Sequence, residues 1–302
     1  MSNSQWSGVY SAVTTKFTGA GQLDRALMEK HFEFQIESGV DALVVLGSLG
    51  ENGTLSLGEK QEVIQLAVRV SKRRVPVLSG VAETTTAGAC RFVEQAGANG
   101  ADGFMVLPGM QYVSDRRETM HHLRSVAAAS PRPIMLYNNP IAYRVDITPD
   151  MFAELADEPK FVALKESSDD VRRILDIRNL VGDRYRIFTG VDDLALESLL
   201  LGADGWVAGL VCAFPKETVA LYKLAKAGRL EEARALYRWF VPLLHLDVST
   251  KFVQNIKLAE TMVGVGSENV RAPRLPLAGE ERTRVEKIVQ TALASRPSLP
   301  SI

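Results

Sequence analysis

The sequence predicts a single (β/α)8 barrel, the TIM-barrel architecture, with a helical C-terminal extension. Three observations lead there. Short apolar runs alternate with amphipathic stretches along the chain, as repeated βα units require. The runs are almost wholly apolar, the pattern of strands buried on both faces. A glycine–aspartate signature precedes three of them: Gly39-Val40-Asp41-Ala42, Gly100-Ala101-Asp102-Gly103 and Gly202-Ala203-Asp204-Gly205. An open doubly wound sheet is the competing architecture; the short apolar strands and the repeat favour closure.

Val9–Thr15 opens the barrel as an apolar run, and Arg25–Glu37 after it repeats at 3.6 residues per turn. Ala42–Leu46 then leads to Glu59–Ser71, Pro76–Ser79 to Thr86–Ala96, and Gly103–Leu107 to Arg117–Ala128. Ile134–Tyr137 leads to Pro149–Leu155, Val162–Lys165 to Val171–Leu180, and Arg186–Thr189 to Asp193–Leu200; Trp206–Ala208 is the eighth strand. In the recurring signature the glycine ends a helix and the aspartate sits at the turn into the next strand. Eight such units fill a length near the usual barrel size. Glu217–Ala227, Leu230–Leu246, Phe252–Val263 and Glu280–Ala294 are helical, and Pro273, Pro276, Pro297 and Pro300 mark loops or tail. The expected division is a barrel over 1–228 and a helical appendage over 229–302, without a linker.

Composition narrows the function. Of 302 residues, 46% are hydrophobic and 24% charged, the profile of a globular protein. A net charge of −1 calls for neither nucleic acid nor an acidic membrane as partner. Cys90 and Cys212 have no paired spacing, which fits a reducing compartment and argues against a disulfide framework or zinc knuckle. Met1 to Gly8 lacks the apolar run of a signal peptide, and no stretch reaches membrane-spanning length, so a cytoplasmic location is expected. His31, His121, His122 and His245 are scattered on predicted helices, with no metal-ligand spacing. Neither a Walker nor a dinucleotide fingerprint is present.

Barrels of this kind carry their chemistry at the C-terminal ends of strands. Those ends hold Gly47-Ser48-Leu49-Gly50-Glu51-Asn52, Tyr137-Asn138-Asn139-Pro140, Lys165-Glu166-Ser167 and Gly190-Val191-Asp192. Lys165 closes an apolar strand, so its stem lies in the barrel mouth, where burial turns an ammonium into a nucleophilic amine. Position alone leaves two readings: a nucleophile, or a lysine bridged to a neighbouring strand-end carboxylate. Tyr137, one strand away, is a proton shuttle for a substrate at Lys165 or a core tyrosine with a satisfied hydroxyl. The Gly47–Gly50 turn can aim backbone N–H groups at a carboxylate, or be a turn and nothing more. Asp192-Asp193 can cap the following helix as readily as bind a ligand.

Together these motifs resemble the dihydrodipicolinate synthase and N-acetylneuraminate lyase superfamily of class I aldolases. Gly47-Ser48-Leu49-Gly50-Glu51 follows the second strand, Tyr137-Asn138-Asn139-Pro140 the fifth and Lys165-Glu166-Ser167 the sixth, in the family's order. The resemblance runs from Gly8 to about Ala294. It implies that Lys165 forms a Schiff base with a small 2-oxo acid or cyclic imino acid, without cofactor or metal. It makes Tyr137 the acid/base hydroxyl and Ser48 its relay. Gly47, the backbone of Ser48 and Leu49, Asn139, Gly190 and Val207 then bind the substrate. It also implies a homotetramer.

Departures from the family bear on the substrate. Pyruvate-condensing synthases carry an arginine two residues after the Y-N-x-P proline; here Ala142 stands there, with Arg144 two residues on. Their second tyrosine follows the fourth strand, where this chain has Pro108-Gly109-Met110, and Tyr112 is the nearest substitute. Leu49 replaces the second threonine of their glycine turn. The combination is most similar to deaminases of Δ1-pyrroline-4-hydroxy-2-carboxylate, a lyase and hydrolase activity of hydroxyproline degradation. Alternatives are a 2-oxo-3-deoxy sugar-acid aldolase or dehydratase, and synthase-type pyruvate condensation. A non-catalytic metabolite-binding barrel ranks last.

Overall fold

The computed structural model describes residues 6–109 and 111–301. Eight parallel strands close into a barrel in chain order: β1 Gly8–Ala12, β2 Ala42–Val45, β3 Val77–Val81, β4 Gly103–Val106, β5 Ile134–Asn138, β6 Phe161–Glu166, β7 Arg186–Thr189 and β8 Gly205–Ala208. The helices are α1 Arg25–Glu37, α2 Leu57–Ser71, α3 Thr86–Ala98, α4 Arg116–Ala129, α5 Pro140–Tyr143, α6 Pro149–Glu154, α7 Arg173–Val181, α8 Ala195–Leu200, α9 Pro215–Lys226, α10 Leu230–Leu244, α11 Phe252–Met262 and α12 Gly279–Ala294. The expected (β/α)8 barrel is what the chain forms, with element ends displaced by a few residues. β1 stops at Ala12 rather than Thr15, because Thr14 and Lys16 leave the barrel wall for a buried polar cluster.

The glycine–aspartate repeat has a structural cause. Gly39, Gly100 and Gly202 adopt φ of 91°, 96° and 100°, which reverses the chain after a helix without a Cβ penalty. The aspartate two residues later grips the neighbouring strand. Asp41 Oδ2 accepts the Val9 N–H at 2.8 Å, Asp102 Oδ2 that of Val77 at 2.9 Å, and Asp204 Oδ2 that of Ile187 at 2.8 Å. At each site the aspartate N–H also donates to that residue's carbonyl. These three clamps set the register at the N-terminal rim.

Alternation along each strand sorts side chains into an inner and an outer set. Tyr137 lies opposite Lys165, Lys165 opposite Phe188, Phe188 opposite Gly205, and Tyr10 opposite Val207, so these residues share the interior. Tyr10 and Phe188 pack with ring centroids 4.6 Å apart, closing the barrel beneath the mouth.

The C-terminal helices are tied to the barrel by charge. Lys16 Nζ, just beyond β1, meets Glu260 Oε2 of α11 at 2.5 Å with both side chains fully buried. Lys257, one turn earlier on α11, pairs with Glu51 at 2.5 Å, again buried. Arg271 lies over the Phe17 ring at 4.4 Å and donates to Gly21 O, Thr54 O and Glu59. Such pairs are costly to desolvate and costlier to break.

Candidate active site

β2 runs into Leu46, whose φ of 59° turns the chain into Gly47–Gly50. Three contacts hold that turn. Asn52 Nδ2 donates to Leu46 O at 2.9 Å, Thr15 Oγ1 donates to Gly50 O at 2.6 Å, and Lys257 donates to Glu51. Glu51 is thus an anchor of the turn. Among the described residues the N–H groups of Ser48 and Leu49 donate to no other group. Two free donors on a fixed turn suit a carboxylate.

Asn139 caps α5, its Oδ1 accepting the Ala142 N–H at 2.9 Å while its Nδ2 donates to Tyr137 Oη at 3.3 Å. The short helix swings Tyr143 back over the mouth. There Tyr143 Oη and Ser48 Oγ share a hydrogen bond, and the Tyr143 ring meets Tyr137 edge-on at 5.8 Å. Tyr143, not Tyr112, therefore stands beside Tyr137; Tyr112 is 62% exposed and interacts with Glu118. The sequence signal for this was Asn139-Pro140, a cap followed by a helix-starting proline, which brings the residue one turn later back toward the strand end. Met110 lies outside the described residues. Burial pushes both phenols above their ordinary range, with Asn139 restraining Tyr137 and the neighbouring phenol adding to the rise at Tyr143. Protonated at neutral pH, they are suited to passing protons rather than carrying charge.

Lys165 is 7% exposed, and its Nζ lies 4.3 Å from the centroid of the Tyr137 ring. Its ammonium makes no ion pair or hydrogen bond among the described residues, which removes the bridged-lysine reading. Burial lowers its pKa, opposed first by Asp247 and then by Tyr143 and Asp192. Gly190 makes the space: a Cβ there would overlap Lys165 Cε and Ser167 Oγ. Val207 is buried on the inner side of β8. Ser167 is buried as well, its hydroxyl without a hydrogen-bond partner of good geometry among the described residues. Glu166 points the other way, accepting the Ser168 N–H at 2.8 Å and Asn138 Nδ2 at 3.2 Å, and so fixes the loops around the lysine.

Two carboxyls complete the mouth. Asp192 does not cap the following helix. It is fully buried and accepts hydrogen bonds from Trp206 Nε1 at 2.9 Å, Gly209 N–H at 3.2 Å and Leu210 N–H at 2.8 Å. Asp247, from the turn after α10, packs against Gly209, where any Cβ would overlap its carboxylate. No motif announced Asp247, because its approach to Lys165 depends on how the C-terminal helices fold back.

The histidines are less isolated than their spacing implied. His31, Cys212 and Glu260 bring their donor atoms within 4.8 Å of one another, but Glu260 there is engaged by Lys16 and Thr14. Burial lowers the His31 pKa to about 4, so it stays neutral.

A profile of the Dihydrodipicolinate synthetase family matches residues 5–292. The chain belongs to that family. A 4-hydroxy-tetrahydrodipicolinate synthase of Geotalea uraniireducens is 32% identical over 94% of this chain and 97% of that protein. One from Syntrophus aciditrophicus is 30% identical with the same coverage. The synthase structure from Methylacidiphilum fumariolicum superposes with a TM-score of 0.90 at 29% identity, covering 96% of this chain and 97% of that one. A pyruvate-complexed dihydrodipicolinate synthase from Acinetobacter baumannii superposes at 0.91 with 27% identity, covering 95% and 98%. The protein is thus a dihydrodipicolinate synthetase family enzyme of the lyase and aldolase type. Among its described residues no helix is long and apolar enough to cross a membrane.

Proposed function

We propose that this family member is a Schiff-base deaminase that converts Δ1-pyrroline-4-hydroxy-2-carboxylate into 2,5-dioxopentanoate and ammonia. The supporting observation is the mouth itself: a buried, unbridged lysine beside linked hydroxyls and a single carboxylate-sized turn, with Ala142 at the synthase arginine position. Arg144 two residues on is exposed, its backbone left-handed at φ 61°.

The Ser48 and Leu49 N–H groups hold the substrate carboxylate. The Lys165 amine adds to C2, and the ring nitrogen leaves C2 and stays on C5 as a primary amine. The protonated imine at C2 draws electrons from C3–H, and Tyr137, relayed through Tyr143 and Ser48, moves the proton. The C4 hydroxyl departs as water. Tautomerisation then gives an imine at C5, whose hydrolysis frees ammonia, and hydrolysis at C2 restores Lys165. The same reading takes the protein as a cytoplasmic homotetramer, for which light scattering is the check.

The names of the relatives favour a second reading, condensation of pyruvate with aspartate semialdehyde. One assay separates the two. Ammonia release from the cyclic imine is measured beside pyruvate consumption with the semialdehyde, in wild type and Lys165→Ala. The deaminase reading requires release in wild type, with release and borohydride trapping both lost in the variant. Condensation without ammonia release would replace it with the synthase reading.

A further inference from the structure

Asp192 and Asp247 lie against the same residue in different ways: Asp192 accepts the Gly209 N–H, while the Asp247 carboxylate fills the space that a Cβ on Gly209 would need. Asp192 is saturated by three donors. Among the described residues the Asp247 carboxyl accepts no hydrogen bond, although it is half-buried against Gly209 just past the end of β8, where its charge acts on Lys165. A carboxyl left bare next to another carboxyl takes up a proton, and a protonated carboxyl is a hydrogen-bond donor. Burial, then Asp192, pushes the Asp247 carboxyl well above the ordinary range, against the opposing effect of Lys165.

We propose that Asp247 is the acid that protonates the departing hydroxyl of the Lys165-bound substrate, a role that rests on the deaminase reading. Loss of the C3 proton places its electron pair in an enamine between C2 and C3. That pair then forms the C3–C4 double bond as the imine at Lys165 is regenerated and the C4–O bond breaks. The oxygen takes the Asp247 proton and leaves as water. Asp247 remains as a carboxylate and, being only half-buried, recovers a proton from solvent. The first half of the reaction, imine formation and C3 ionisation, uses groups on the turn after β2, on β5 and α5, and on β6. The elimination uses a group from the segment after α10.

The test is Asp247→Asn, read in three ways: ammonia release from the hydroxylated imine, borohydride trapping of pyruvate on Lys165, and deuterium uptake from solvent at C3. Trapping and C3 exchange are expected to persist while ammonia release falls by about 10²-fold or more. Release within about threefold of wild type, with the general-acid range as the yardstick, overturns the role. Loss of trapping together with release overturns it too, since Asp247 would then act only through Lys165. If wild type traps pyruvate but frees no ammonia, the deaminase reading fails, and this role fails with it for a reason unrelated to Asp247.

Discussion

Lys165 sits where its charge loses water and, among the described residues, gains no ion pair. Its stem is buried, its amine faces the Tyr137 ring, and the carboxyls that favour its charged form stand off rather than pair with it. That arrangement keeps an amine available for addition to a carbonyl or imine. The neighbouring hydroxyls matter because the proton taken from C3 has to be received by a group held within reach of the substrate. Tyr143 is the residue whose removal isolates this function from binding, since its hydroxyl meets Ser48 while its ring packs on Tyr137. Tyr143→Phe should lower kcat by about 10²- to 10³-fold with little change in KM, measured by steady-state ammonia release.

At the scale of elements, the strands were legible because burial on both faces leaves a continuous apolar run. The aspartate repeat was legible because three strands share one clamp. The four-residue α5 was not: it is too short for a periodic signal, its one mark is the Asn139-Pro140 start, and its role appears only when Tyr143 meets Ser48 across the mouth. Asp247 was hidden for a related reason. It belongs to no strand end, so the rule that shortened the list of candidates also passed over it. Loops beyond the mouth are fixed by Arg271, whose bond to Glu59 lowers that carboxyl to about 2. A carboxylate depressed in the folded state adds stability above its unfolded pKa and loses it as pH falls through the folded one. Between about pH 4.5 and 2 this half-buried pair should therefore cost about 1–2 kcal/mol of stability. Urea melts of wild type and Glu59→Gln across that window check it, since the glutamine variant should lack this part of the slope.

For the whole molecule, the barrel wall and the C-terminal helices cannot be treated as independent layers. Lys16 is wholly buried and its counter-charge, Glu260, comes from α11. Glu260→Gln leaves an uncompensated ammonium in the interior and should cost about 3–5 kcal/mol. Calorimetry should record that as a melting point lower by roughly 10 °C. The same ion pair has a consequence for synthesis on the ribosome. All eight strands have been made by Ala208, yet Lys16 then has no carboxylate to enter the interior with, and Lys257, which anchors the glycine turn, has not been translated. The nascent barrel must wait for α11 before its mouth can set, so the wall is synthesised well before the charges that lock it.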